Sequence, residues 1–380
     1  MLQNASVVGL ILPDRFNNLH MKKTMIVLPG RVKIALLYFL LILPGPVTSK
    51  AGGVVFPGTM INEEQFVRIN GIEQWVTIHG ESTKPVIFFL HGGPGSTLSP
   101  YSANLYKSWE KDFIIVQWDQ RGAGKTFGRT APDELTPAYL KGNLLTVEQM
   151  VSDGIAVAEY LLKRLDKKKL ILFGTSWGSV LGVKMATQKP DLFSAYIGHS
   201  QVTDPADDLE LYVKVYQLAE ANKDTESVQL LRTIGLPPYS EARNAGKLFR
   251  IVKKYEQRHS APAPESWFVV SPAYNNEKDN QNRSDGDDFS FVNYVGDKKL
   301  EVRSMRSIIN IPRDNATFRI PVYLIQGKED LLTPPEATKR YFDHINAPTK
   351  KYYLLPGTAH GFNQAVLDAQ FEICKAIKTE

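Results

Sequence analysis

Hydrophobic positions follow two different patterns along the chain. In residues 64–80 apolar and polar residues alternate on both sides of Asn70-Gly71, which predicts an antiparallel hairpin with a two-residue turn. Six short apolar runs follow, and such continuous runs are typical of strands covered on both faces. The runs read PVIFFLH, FIIVQW, KLILFG, AYIGHS, PVYLIQG and KYYLLPG.

Helical periodicity separates most of these runs. Apolar residues recur at helical spacing over 150–165, and further helices are predicted over 178–188 and 363–378. Strands that alternate with helices predict an α/β fold with a doubly wound, mostly parallel sheet. Cys374, the single cysteine of the chain, is predicted to be a buried apolar residue on the final helix.

The alternation of strands and helices stops between residues 204 and 317. Residues 204–234 have a helical pattern, whereas residues 274–288 are so polar that they predict a solvent-exposed loop. We therefore predict a catalytic domain of residues 52–203 and 318–380 with an inserted helical cap of residues 204–317.

The net charge of +5 is concentrated in residues 1–51, so it indicates no nucleic-acid surface on the rest of the chain. From Met21, a basic stretch precedes the apolar core IALLYFLLIL, a PGP break and the small residues around Lys50. We expect residues 1–51 to be a leader whose signal peptide starts at Met21, which predicts secretion or a periplasmic or cell-envelope location, with only transient membrane contact. An uncleaved signal anchor and a buried helix are the alternatives.

A glycine-rich turn after the second apolar run ends in Gly124-Lys125-Thr126, as phosphate-binding loops do. Such a loop needs a glycine five residues before Gly124, and that position holds Asp119, whose carboxylate would repel phosphate. The following residues, FGRTAPDEL, lack the pattern of an amphipathic helix that would face an anion. A nucleotide site is therefore disfavoured.

The first candidate catalytic motif is Gly174-Thr175-Ser176-Trp177-Gly178, which lies between a predicted strand and a predicted helix. This context is that of a nucleophile elbow, in which glycines on both sides allow the tight turn that exposes the serine hydroxyl. A serine needs a base and an acid that orients the base, and in this type of fold the order is serine, acid, histidine.

His360 follows the last predicted strand and is the candidate base. The acid is expected after the preceding strand, where Asp330 fits better than its neighbour Glu329 because it lies on the turn three residues beyond Gly327. An oxyanion would be stabilised by the backbone N–H of Trp177 and by one from the loop His91-Gly92-Gly93-Pro94-Gly95, in which Gly92 and Gly93 are both candidates.

Five motifs, HGGPG, DQRGAGKT, GTSWGS, GKED and GTAHG, occur in this order and resemble the prolyl aminopeptidase (proline iminopeptidase) branch of the α/β-hydrolase fold. The resemblance covers residues 60–203 and 318–378. It implies Ser176 as nucleophile, Asp330 as orienting acid, His360 as base and then acid, and release of an N-terminal residue, often proline, from short peptides.

The resemblance also implies that the DQRG turn packs beside the oxyanion loop, with Asp119 and Arg121 as a local structural pair. The family's cap pattern, which holds the free amino group, is not matched between residues 204 and 319. Two of the cap glutamates, Glu210 and Glu241, have no role that the sequence shows.

We therefore expect a serine hydrolase that cleaves an amide or ester through an acyl-enzyme, without metal or cofactor, acting on small molecules or short peptides. A carboxylesterase of small acyl esters and a non-catalytic hydrolase-like binding protein are the alternatives. A twelve-residue calcium loop in the acidic cap segment is disfavoured, because Gln281 stands where the first acidic ligand is needed.

Overall fold

The computed structural model describes residues 58–204 and 207–378, so the predicted leader lies outside the described residues. Within these ranges the strands form one sheet. The strands are β1 (Met60–Ile69), β2 (Ile72–Glu81), β3 (Val86–Leu90), β4 (Ile114–Trp118), β5 (Leu170–Thr175), β6 (Phe193–His199), β7 (Val322–Gly327) and β8 (Lys350–Leu355). Their order across the sheet is β1-β2-β4-β3-β5-β6-β7-β8.

Helices occupy most of the sequence between these strands. The α-helices are α1 (Ser102–Tyr106), α2 (Gly124–Thr130), α3 (Pro137–Gly142), α4 (Val147–Leu165), α5 (Trp177–Gln188), α6 (Asp207–Ala221), α7 (Thr225–Ile234), α8 (Ala242–His259), α9 (Glu277–Val295), α10 (Ile311–Asp314), α11 (Pro335–His344) and α12 (Gln364–Ala376). Short 3-10 helices cover Ser99–Tyr101, Lys107–Trp109, Pro190–Leu192, Glu265–Phe268, Pro272–Tyr274 and Arg306–Ile308. Across residues 58–204 and 207–378, no helix combines the length and hydropathy needed to cross a bilayer.

The hairpin at the edge of the sheet is confirmed. Strands β1 and β2 pair antiparallel, and their two-residue turn is Asn70-Gly71, with φ of 44° and 88°. Both values lie in the left-handed region that this turn type requires. Strand β2 also pairs antiparallel with β4, whereas the neighbours from β4 to β8 across the sheet pair parallel.

The continuous apolar runs form strands that are covered on both faces, as predicted. Alternate residues of β3 belong to different cores, because successive side chains point to opposite faces of the sheet. Phe88 packs in one core, which includes residues of α4 and α5, and Phe89 packs in the other, which includes residues of α1 and α12. Cys374 is buried in the second core, so its predicted packing role is confirmed.

The helices α6 to α10 lie between β6 and β7 in sequence, where an inserted cap is predicted, and the segment from α6 to α10 is called the cap below. The prediction of a loop over residues 274–288 is wrong, because most of this segment belongs to α9. Asn276 begins the helix by accepting a hydrogen bond from the Asp279 N–H at 2.9 Å. The buried residues of α9 lie mainly in its C-terminal half, around Phe289 and Phe291. Because the polar first half continues the same helix, the packing of the second half also stabilises it.

A second correction concerns the turn after β4. The residues after Gly124 form the short helix α2, although the sequence lacks an amphipathic pattern there. Tertiary contacts explain this helix. The Thr126 hydroxyl donates to the Asp119 carbonyl oxygen at 2.5 Å and accepts the Trp75 N–H at 2.8 Å, and the Phe127 ring packs against Phe289 of α9, with ring centroids 5.5 Å apart.

Candidate active site

Ser176 occupies a sharp turn between β5 and α5, as the nucleophile-elbow prediction requires. Its φ of 52° and ψ of −121° lie outside the usual regions for a non-glycine residue. The turn brings the neighbouring backbone so close to Gly174 and Gly178 that neither position has room for a side chain. A Cβ at Gly174 would lie 2.4 Å from the Gly178 oxygen, and a Cβ at Gly178 would lie 2.0 Å from the Leu90 oxygen.

The structure brings Ser176, His360 and Asp330 together from three separate loops. The His360 Nε2 atom lies 2.9 Å from the Ser176 Oγ, and the His360 Nδ1 atom lies 3.1 Å from each Asp330 carboxylate oxygen. The three residues follow β5, β8 and β7, whose carboxyl ends meet at one edge of the sheet. Glu329 does not take the place of Asp330, because its carboxylate accepts the Thr358 N–H at 2.9 Å.

Asp330 is fully buried and held by donors on several sides. It accepts hydrogen bonds from the Thr333 N–H at 2.8 Å, the Thr333 hydroxyl at 2.7 Å and the Gln326 side-chain amide at 3.0 Å. Burial by itself raises the pKa of the Asp330 carboxyl, but His360 and Thr333 outweigh it and the net shift is downward. Asp330 therefore stays ionised beside the imidazole.

Burial by itself lowers the pKa of His360, because an imidazolium is poorly solvated inside the protein. The charge and the hydrogen bond of Asp330 outweigh burial, so the pKa of His360 lies above its ordinary value of 6.5. The arrangement thus favours a proton on the imidazole whenever the Ser176 hydroxyl releases one.

The loop after β3 lies against the elbow. A Cβ at Gly92 would lie 3.3 Å from the Ser176 Cβ, and Gly93, with a φ of 109°, lines the same cavity as Ser176. Trp177 is the first residue of α5, so its N–H has no acceptor within that helix. The predicted oxyanion donors therefore lie on segments next to Ser176, and Gly93 is the one of the two glycines that lines the cavity.

Gln120 of the DQRG turn connects these donors. The Gln120 side-chain amide donates to the His91 carbonyl at 2.9 Å and accepts the Trp177 indole N–H at 3.0 Å. The Gln120 N–H is 3.1 Å from the His91 Nε2, so this nitrogen is the acceptor and the His91 Nδ1 donates to the Gly92 carbonyl at 2.8 Å. The DQRG turn thus packs beside the oxyanion loop, as the resemblance implies.

The prediction that Asp119 and Arg121 form a pair is wrong. Asp119 accepts hydrogen bonds from Thr97, from the Ser99 hydroxyl at 2.5 Å and from the Lys125 N–H at 2.8 Å. Arg121 instead binds Asp153 of α4 at 2.7 Å. The Asp119 carboxylate thus occupies the N-terminus of α2, the position where a nucleotide-binding loop would hold phosphate.

Comparison with known proteins places this arrangement in a family. A family model described as the alpha/beta hydrolase fold matches residues 85–363. The chain belongs to the α/β-hydrolase family. The probable aminopeptidase YbaC of Bacillus subtilis is 30% identical over 300 residues, which cover 77% of this chain and 88% of that protein.

Two further similarities agree with this membership. A probable proline iminopeptidase of Streptomyces coelicolor is 32% identical over 124 residues, 32% of this chain and 34% of that protein. The crystal structure of a proline iminopeptidase from Mycobacterium smegmatis has the same fold, with a TM-score of 0.55 at 18% identity over 83% of this chain and 96% of that one. This α/β-hydrolase is therefore a hydrolytic enzyme.

The cavity of this α/β-hydrolase opens between the sheet edge and the cap, with a volume of about 60 Å³. Its lining combines the Ser176 and His360 side chains with apolar and charged groups from the cap side. The residues are Gly93, Ser96, Ser176, Val202, Thr203, Asp207, Asp208, Phe249, Tyr294, Arg306, Leu332, Thr333 and His360.

Sequence reasoning missed the charged groups that the cap brings to this site. Asp207 and Asp208 line the cavity, whereas Glu210 and Glu241 do not and instead pair with Arg340 at 3.4 Å and with Lys299 at 2.9 Å. A run of acidic residues at the start of α6 is the ordinary sign of a helix N-terminus, so the sequence carried no signal that two of them line the same cavity as the serine.

Glu256 of α8 was also missed. The residue is only 8% exposed, and burial together with the charge of Asp330 raises the pKa of Glu256 to about 7. In the sequence it stands in the charged stretch KKYEQRH, where a glutamate is expected to face solvent.

Proposed function

We propose that this α/β-hydrolase is a serine aminopeptidase in which Ser176 is the nucleophile, His360 the general base and Asp330 the residue that orients His360. The observation that carries the proposal is the hydrogen-bonded series from the Ser176 hydroxyl through the imidazole to the buried Asp330 carboxylate, with distances of 2.9 and 3.1 Å. This series has the order and the geometry of a serine triad.

The reaction follows from these positions. The Ser176 Oγ attacks the substrate carbonyl while its proton passes to the His360 Nε2, and the imidazolium then gives this proton to the leaving amine as the C–N bond breaks. Water next gives a proton to His360 and attacks the acyl-enzyme ester, and the proton returns to Ser176 when the ester bond breaks. Each step is acid-base chemistry that these side chains supply.

The negative oxygen of each tetrahedral intermediate would be stabilised by the N–H groups of Trp177 and Gly93. Removing one such donor typically costs about 3 to 4 kcal/mol of transition-state stabilisation. Gln120 holds the loops from which both donors project, which supports their use as a preformed pair.

The charges of the cavity support a substrate with a free amino group. The lining carries the carboxylates of Asp207 and Asp208, which pair with Arg340 at 3.6 Å and with Arg306 at 3.0 Å. An ammonium group near the scissile bond could donate hydrogen bonds to these carboxylates. The names of the relatives, aminopeptidase and proline iminopeptidase, agree with this substrate class.

Replacement of Ser176 tests the mechanism. Ser176→Ala should abolish both turnover of proline and alanine arylamides and covalent labelling by a fluorophosphonate probe, with an unchanged thermal unfolding midpoint. Ser194→Ala, a serine of β6 away from the elbow, is the matched control. Full turnover or labelling in Ser176→Ala would remove the proposed nucleophile.

Replacement of Asp208 tests the substrate class. The wild-type enzyme should hydrolyse alanine arylamide faster than its N-acetyl derivative, and Asp208→Asn should narrow this ratio by about tenfold, the effect of one charge interaction of 1.4 kcal/mol. Asp191→Asn, which changes an aspartate that is 90% exposed, should leave the ratio unchanged. A wild-type enzyme that prefers the N-acetyl compound or short acyl esters would refute the aminopeptidase assignment.

We further propose secretion, or a periplasmic or cell-envelope location, supported by the basic and apolar pattern that starts at Met21. Mass measurement of the mature N-terminus tests this proposal, with cleavage near Ala51 expected. A mature protein that retains residues 21–51 would instead support the signal anchor.

A further inference from the structure

Helix α8 of the cap contacts both loops that hold the base and its orienting acid. The Glu256 Oε1 atom accepts the Leu331 N–H at 2.8 Å and the Leu332 N–H at 3.2 Å, and these two residues directly follow Asp330. Just beyond α8, the Ala261 N–H donates to the Gly357 carbonyl at 2.8 Å, three residues before His360. One cap segment thus holds both loops.

Glu256 supplies the hydrogen-bond acceptor for two backbone N–H groups of this turn, those of Leu331 and Leu332. Both Leu331 and Leu332 pack with the cap core around α6 to α8, so water has little access to their N–H groups. A buried N–H without an acceptor costs about 1 to 3 kcal/mol. The carboxylate therefore stabilises the conformation in which Asp330 faces His360.

The charge of Glu256 acts on the same pair of residues. His360 is stabilised as an imidazolium by Asp330 and, in addition, by the negative charge of Glu256. The charged groups that face Glu256 are Asp330 and His360 from the two loops and Lys253 from its own helix. In the described part of the chain, Glu256 itself is absent from the lining of the cavity, so it acts through Asp330 and His360.

We propose that Glu256 is a positioning residue that anchors the Asp330 loop to the cap and supplies a second negative charge behind the His360 imidazolium. This inference rests on the proposed triad. According to this inference, the cap helps to set the basicity of His360 in addition to enclosing the substrate.

Two substitutions separate the charge from the hydrogen bonds. Glu256→Gln keeps an oxygen acceptor for Leu331 and Leu332 but removes the charge. Glu256→Leu removes both. The rate of Ser176 labelling by a fluorophosphonate probe, measured from pH 5 to 9, reports the basicity of His360 without depending on which substrate the enzyme cleaves.

For Glu256→Gln, we expect the acid limb of the labelling rate to move to lower pH by up to about 0.5 unit, because the pKa of Glu256 is about 7 and its negative charge favours imidazolium only over the upper part of this limb. For Glu256→Leu, we expect a loss of about 100-fold in labelling rate, as for a catalytic group displaced by about 1 Å. Glu226→Gln, an exposed glutamate on cap helix α7, is the matched control and should leave the profile unchanged.

The outcomes distinguish the two proposals. A wild-type enzyme that is not labelled at Ser176 refutes the triad itself. A labelled wild-type enzyme with the same acid limb in Glu256→Gln overturns the charge contribution of Glu256, and an unchanged labelling rate in Glu256→Leu overturns its anchoring role; both results leave the triad intact. If Glu256→Leu does not fold, Glu256→Gln still decides the charge contribution, because its hydrogen bonds are kept.

Discussion

At the scale of single residues, the buried amide of Gln120 connects the two sources of oxyanion donors. Replacing it by leucine would leave the His91 carbonyl and the Trp177 indole N–H without partners in the interior. We expect Gln120→Leu to lower kcat/KM by about 10- to 100-fold, less than the loss of a donor itself, because the loops would shift.

Steady-state kinetics on alanine arylamide would measure this effect. The matched control is Gln117→Leu, which removes another buried glutamine from β4, one whose side-chain nitrogen has no hydrogen-bond partner among the described residues. Equal losses in both variants would show that Gln120 has no specific role in holding the oxyanion loop.

The His360 imidazole should titrate above its ordinary pKa of 6.5, since Asp330 outweighs the effect of burial. The base must be neutral to accept the Ser176 proton, so kcat/KM should fall as the pH decreases through a midpoint above 6.5. Asp330→Asn should move this midpoint to lower pH and reduce kcat by about 10⁴-fold. Measuring kcat/KM against pH for the wild type and for Asp330→Asn tests the direction of this shift, and a higher midpoint in Asp330→Asn would contradict the prediction.

At the scale of elements, helix α9 rests on the oxyanion loop. A Cβ at Gly95 would lie 2.4 Å from the Asp287 Cα, and the Asp287 carboxylate accepts the Ser96 hydroxyl at 3.0 Å. Burial raises the pKa of Asp287 to about 6. The ionised form of Asp287 is thus disfavoured in the folded protein. Protonated Asp287 contributes to the free energy of unfolding, and this contribution is fully present below pH 4 and is lost as the pH rises through 6.

We predict that Asp287→Asn stabilises the protein at pH 8 but not at pH 3.5, because the amide can still accept from Ser96 and carries no charge. The gain should be about 1 to 2 kcal/mol, since the remaining exposure reduces the full effect of the pKa shift. Urea unfolding at both pH values measures it, with Asp285→Asn on the same helix as control. A loss of stability at pH 8 would refute this account of α9.

At the scale of the whole molecule, Asp153 of α4 joins three separate parts of the chain. Its fully buried carboxylate binds Arg121 of the DQRG turn at 2.7 Å, Asn70 of the hairpin turn at 2.9 Å and Gln149 of α4 at 3.0 Å. An uncompensated buried charge costs about 3 to 5 kcal/mol.

Arg121→Met should therefore lower the free energy of unfolding by about 3 kcal/mol, and Arg121→Met with Asp153→Leu should recover part of it. Arg319→Met is the control, because the pair of Arg319 with Asp191 at 3.2 Å is exposed and should contribute less than about 1 kcal/mol. Denaturant titration measures all three. Equal effects of Arg121→Met and Arg319→Met would contradict a structural role of the buried pair.

Much of the fold was predictable because it depends on local patterns. Continuous apolar runs and the Asn70-Gly71 turn depend on side chains adjacent in sequence, and the glycines around Ser176 are required by backbone contacts within one turn. Ser176, Asp330 and His360 could be selected because the carboxyl ends of parallel strands share one edge of the sheet.

Other features depend on contacts between residues distant in sequence. The polar segment of α9 is helical because its far end is buried, Arg121 pairs with Asp153 across 32 residues, and Glu256 reaches Leu331 across 75. The sequence by itself thus determined the sheet, the elbow and the three candidate side chains, because each follows from local pattern and strand order. Only the tertiary structure decided which cap carboxylates face the site, since burial and charge at a residue depend on what packs against it.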